Sequence, residues 1–125
     1  MKQKLVVFIL CMFLTGCAMN PKPVVGSANQ FDSDSYLTLV TADALIQATK
    51  TDLANGSFSA TLTASVTQSL NALITAYDIA NPVYIAYHNA ALAGTATTAQ
   101  QATVTNSLSN VKVSVTALTT VKGGK

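Results

Sequence analysis

Arginine, glutamate and tryptophan are absent from the 125-residue chain, and histidine occurs once, at position 88. Charged residues make up 10% of it, against about 25% in an ordinary globular protein. Lys2 and Lys4 stand at the extreme N-terminus, and the five lysines beyond them balance the five aspartates. A near-neutral body without arginine is a poor match for nucleic acid, whose binding is driven by neutralising phosphates. One histidine and two cysteines supply too few ligand types for a metal cluster, so no metal site is expected. Proline occurs three times, at positions 21, 23 and 82, which leaves long stretches free to be helical.

What is present is concentrated at the N-terminus. Met1-Lys2-Gln3-Lys4 is a short basic segment, and Leu5 to Leu14 is an unbroken apolar run. As a helix that run reaches only ~15 Å, half of a ~30 Å hydrocarbon core, so it reads as the apolar region of a signal peptide and not as a membrane span. Leu14-Thr15-Gly16-Cys17 follows directly. These four residues resemble the lipobox of bacterial prolipoproteins. The resemblance covers about the first twenty residues and says nothing of the rest. It implies cleavage between Gly16 and Cys17, a diacylglycerol on the Cys17 sulfur and an acyl chain on its new amino group. Anchoring by two or three chains is effectively permanent, each buried CH₂ contributing about 0.8 kcal/mol. Ala18, where an aspartate would signal inner-membrane retention, points to the outer membrane if the host is Gram-negative. Cys11 leaves with the leader, so the mature chain is expected to have neither a free thiol nor a disulfide.

Three segments are expected: a signal peptide over 1–16, the lipidated Cys17 with a flexible tether over 17–31, and a helical domain over 32–125. Pro21, Pro23 and Gly26-Ser27 favour an extended, loose tether. Asp32, Ser33, Asp34 and Ser35 are candidate caps for a first helix over about 34–54, ended by Asn55-Gly56. Its apolar stripe is read as Tyr36, Leu39, Val40, Ile46 and Leu53, widened by Leu37, Ala44 and Ala48. In the second segment Leu62, Val66, Leu70, Leu73, Tyr77, Ala80, Tyr84, Tyr87 and Ala91 recur at spacings of three and four, with Ser59 as N-cap and Gly94 as the stop. Pro82 leaves two readings open, one helix over 60–93 kinked there or two helices with Asn81 capping the second. The unbroken phase of the seam favours the kinked helix. In the third segment Thr97-Thr98-Ala99-Gln100 matches a capping box, and Val104, Leu108, Val111, Val115 and Leu118 continue at helical spacing. A strand over 111–115 is the alternative, since apolar and polar residues alternate there. The expected fold is therefore all-α, a small antiparallel three-helix bundle of the up-down-up kind.

No constellation for catalysis stands out. Asp32-x-Asp34 begins like a calcium loop, but Leu37 replaces the required glycine and Asp43 the required glutamate, so capping is the better reading. His88 lacks a nucleophile or an orienting carboxylate on its own helix, because Asp78 lies on another face; a half-exposed flank position is expected. Tyr77, Tyr84 and Tyr87, with His88, form either a small ligand groove beside Pro82 or, more simply, a stretch of core whose hydroxyls reach solvent. The low charge favours self-association or docking on an envelope protein. The function expected is a non-enzymatic, membrane-anchored envelope lipoprotein with a structural or protein-interaction role and no cofactor beyond its lipid. The alternative is a module binding a small apolar or lipid-like ligand.

Overall fold

A computed structural model describes residues 25–124; the expected leader, the expected cleavage and lipidation positions Gly16 and Cys17, and the first part of the expected tether lie outside them. Among the described residues the regular structure is three helices, α1 (Gln30–Ala54), α2 (Ala60–Leu92) and α3 (Thr98–Gly123). The 111–115 segment is helical and lies inside α3. The start of α1 meets the end of α2 through Asp32 and His88, and the end of α1 meets the end of α3 through Thr49 and Lys122. The helices thus run up, down and up, with the most extensive contact between α2 and α3.

Local sequence sets each boundary. The side-chain oxygen of Ser59 accepts from the Leu62 amide, and Thr97 and Gln100 close a reciprocal capping box. Both interhelical turns close with the same pair of bonds. Gly56 N–H donates to Leu53 O and Ser57 N–H to Asp52 O; Gly94 N–H donates to Ala91 O and Thr95 N–H to Ala90 O. This double bond pattern needs a left-handed residue at the glycine position, where φ is +64° at Gly56 and +71° at Gly94.

α2 runs unbroken across Pro82 as a single helix. Pro82 is exposed, so the carbonyl that loses its partner one turn earlier, at the exposed Asp78, faces water and can be hydrated. Threonine, a weak helix former, is accommodated by bonding its hydroxyl back to the carbonyl four residues earlier, as at Thr41, Thr63, Thr105 and Thr120.

The seams of α2 and α3 lie where apolar spacing puts them. Val66, Leu70, Leu73, Ala80, Tyr84 and Tyr87 of α2 and Val104, Leu108, Val111, Val115 and Leu118 of α3 form the core with α1. α1 departs from expectation in two ways. It begins at Gln30, four residues before the expected start and inside the expected tether, because Asn29 supplies the cap by accepting from the Asp32 amide at 2.9 Å. Its buried stripe is also rotated: Tyr36, Leu37 and Val40 are exposed, while Asp32, Ser35, Leu39, Ala42, Leu45, Ile46 and Thr49 are buried. The true seam (32, 35, 39, 42, 46, 49, 53) alternates spacings of three and four, as a packed helix requires. Its first two positions and its sixth carry polar side chains, so apolar residues alone mark it poorly.

Candidate functional site

The residues with chemical capacity gather at the start of α1. Asp32 occupies the third position of the helix and is fully buried. An isolated buried carboxylate is strongly unfavourable unless hydrogen-bonded. Here one oxygen accepts from the Ala28 amide at 2.8 Å, and His88 Nδ1 lies 3.0 and 2.8 Å from the two oxygens. An ionised carboxylate only accepts, so Nδ1 carries the hydrogen and donates it. That fixes the imidazole orientation and turns Nε2 away from Asp32. With 28% of the His88 side chain exposed and none of the Asp32 side chain, the outward edge of the ring is the part that meets solvent.

Aromatic rings wall this pair. Tyr84 lies beside the His88 ring with centroids 5.8 Å apart, Tyr36 lies 6.5 Å from Tyr84, and Phe31 packs edge-on against Tyr87 at 5.1 Å. Asn29 Nδ2 donates to the Tyr87 hydroxyl at 3.3 Å, which ties the cap of α1 to the end of α2. Burial pushes the Tyr84 phenol up to about 12, helped by the negative charge of Asp32, a hydrogen bond to its carboxylate and the neighbouring Tyr36. Burial, and then Asp43 and Asp78, also push Tyr77 upward.

These shifts make the alkaline limb of stability predictable. A phenol with a folded-state pKa above its ordinary 10.0 contributes stability in full below pH 10, and loses it as the pH rises through about 12. Stability should therefore fall between those two values, read as a decreasing urea midpoint by circular dichroism, and any alkaline unfolding transition should be accompanied by phenolate absorbance. Tyr84→Phe should move the transition to higher pH; a Tyr84 phenolate forming near pH 10 in a still-helical protein would contradict the burial.

The four groove candidates do not act as one wall. Tyr84 and Tyr87 are 7% and 4% exposed and belong to the core, with Phe31 packed against Tyr87. Tyr77 is half-buried two turns earlier in α2. His88 is half-exposed as expected, but it is paired. Its partner Asp32 was legible only as a cap candidate, since 56 residues separate the two. The signal was the phase of α1: stepping back seven residues from Ile46 gives Leu39, and seven more gives Asp32.

A second polar cluster sits at the other end of α1. Lys122 is 9% exposed, and its Nζ donates to Thr49 Oγ1 at 3.1 Å and pairs with Asp52 Oδ2 at 3.0 Å. Lys122 continues the α3 seam one turn beyond Leu118. It therefore reaches across to α1 as well as lying near the negative end of its own helix. Among the described residues no buried side-chain nitrogen or oxygen lacks a partner, and no group of three or more His, Cys, Asp or Glu is placed to hold a metal. No helix among them is long and apolar enough to cross a membrane.

Compared with known proteins, the chain matches no family model, no curated protein and no solved structure. The reading of its function therefore rests on its own residues.

Proposed function

We propose that the chain is a membrane-anchored bacterial envelope lipoprotein whose helical bundle has a non-enzymatic, structural or protein-interaction role. The observation that carries this reading is Leu14-Thr15-Gly16-Cys17, placed directly after a basic start and a short apolar run. Removal of residues 1–16 would leave Cys17 acylated at the head of a tether that ends at the Asn29 cap. If the host is Gram-negative, Ala18 favours the outer membrane as the destination. The bundle supports a scaffold role through its buried polar groups, which among the described residues are spent on one another or on the backbone. Asp32 serves His88 and the α1 cap, Lys122 serves Thr49 and Asp52, and the Ser35 hydroxyl donates to the Phe31 carbonyl. A ligand entering beside Tyr84 and Tyr87 would have to displace packed aromatic rings, so the bundle suits a partner that binds its outside.

The anchor is tested by Cys17→Ala. Metabolic labelling with a fatty acid should be lost completely, and the protein should either leave the membrane fraction or accumulate unprocessed. Labelling that persists in the variant would rule out acylation at this cysteine.

A further inference from the structure

The bundle is polarised along its axis. Every lysine among the described residues lies toward the far end: Lys50 in the last turns of α1, and Lys112 and Lys122 in the second half of α3. The near end comprises residues 25–40, where the chain leads back toward Cys17, and residues 82–106, where α2 ends and α3 begins. These two stretches hold no lysine, and Asp32, Asp34 and His88 are their only titratable groups apart from tyrosines. Asp32 is buried and paired with His88, which leaves Asp34 as the one exposed carboxylate, itself bonded by Gln30 Nε2 at 2.7 Å.

The near end also carries most of the exposed apolar bulk. Tyr36, Leu37 and Val40 of α1 and Ile85 and Leu92 of α2 are between 43% and 57% exposed. The Asp32–His88 contact sets the two helices side by side so that Tyr36 lies against Tyr84, which brings Ile85 to the same flank. Asp34 stands ~120° around α1 from Val40 at 3.6 residues per turn, on the border of this face. Gln30 stands thirteen positions beyond Cys17, a reach of at most about 45 Å when fully extended. A surface held so close to lipid meets it at a high effective concentration, and an aromatic and aliphatic face without cations suits the zone between headgroups and acyl chains.

We propose that this near end rests on the bilayer, with Tyr36, Leu37, Val40, Ile85 and Leu92 entering the headgroup region of a zwitterionic lipid surface. The bundle is then tilted, with this end against the membrane and the lysine-bearing end, together with Asp43 and Asp78 two turns farther along the flank, held away from it. The proposal rests on the anchored reading above and adds the orientation of the domain. Lys22 stands in the tether, but the docking face itself carries no lysine. Burial of its apolar side chains holds it, so high salt does not release it and it needs no anionic lipid.

The test uses the full acylated protein in phosphatidylcholine vesicles, with single nitroxide labels at Leu37→Cys, Leu92→Cys, Lys50→Cys and Lys112→Cys. Collision with a water-soluble nickel chelate should fall several-fold at positions 37 and 92 relative to 50 and 112, and high salt should not restore it. Equal accessibility at all four positions in vesicle-bound protein would overturn the orientation while leaving the anchor intact. A fall at 37 and 92 that follows protein concentration and not the lipid-to-protein ratio would assign the face to a second copy, and also overturns it. Protein that carries no acyl chain and stays off the vesicles would overturn the anchor and the orientation together.

Discussion

Asp32→Ala should lower the stability of the bundle by about 3 kcal/mol, the cost typical of removing one partner from a buried, hydrogen-bonded polar pair. The carboxylate ties together the Ala28 amide ahead of α1 and His88 near the end of α2, and its negative charge acts on the Tyr84 phenol in the core. Alanine leaves both donors, the Ala28 amide and His88 Nδ1, facing a void. Asp32→Asn keeps the shape but offers only one accepting oxygen, and its amide opposes the hydrogen on His88 Nδ1, so an intermediate loss of about 1–2 kcal/mol is expected. His88→Ala removes the imidazole and leaves the carboxylate buried without its cross-helix partner. Urea unfolding of the chain beyond Cys17 measures each value. In a double-mutant cycle the losses from Asp32→Ala and His88→Ala should fall well short of adding. Strict additivity would show that the two side chains are neighbours without being partners.

Leu73→Ala should be as damaging, by about 3 kcal/mol, through a different physical route. Leu73 is fully buried at the middle of the α2 seam, in one core cluster with Val111, Val115 and Leu118 of α3 and Ile46 of α1. Three converging helices leave the backbone little room to collapse into the space, so lost transfer energy and cavity add together. For a domain of this size the melting temperature should fall by about 10 °C or more. Ile79→Ala, at an exposed position on the same helix, should stay within about 0.5 kcal/mol of the parent. A similar cost at both positions would mean that the packing face of α2 is misassigned.

Most of the fold was legible because α2 and α3 pack through apolar residues. All nine expected seam positions of α2, from Leu62 to Ala91, are buried or half-buried, and the five of α3 are buried. The caps at Ser59 and Thr97 were readable because capping is a bond between residues three apart, encoded locally. α1 was harder for a physical reason. Its packing face includes Asp32, Ser35 and Thr49, which bury well only because a partner or their own backbone satisfies them. Apolarity therefore pointed to Tyr36 and Val40 on the neighbouring, exposed face. The start of α1 was displaced for a related reason. Asn29 caps it, but it stands among Gly26, Ser27 and Ala28, whose composition resembles a linker. The His88–Asp32 pair combines both difficulties, since neither member is apolar and their contact exists only once two helices have packed.

The two polar contacts at opposite ends of α1 bear on which bundle this chain can form. Its middle layers are leucine, valine and alanine, rungs alike enough that one helix could slip a heptad along another and still find apolar neighbours. Slippage would bring the Asp32 carboxylate level with Asn81 and strand Lys122 among aliphatic side chains, each an unsatisfied charge in a dry place. A bolt at either end thus selects a single alignment from several that greasy packing alone would tolerate.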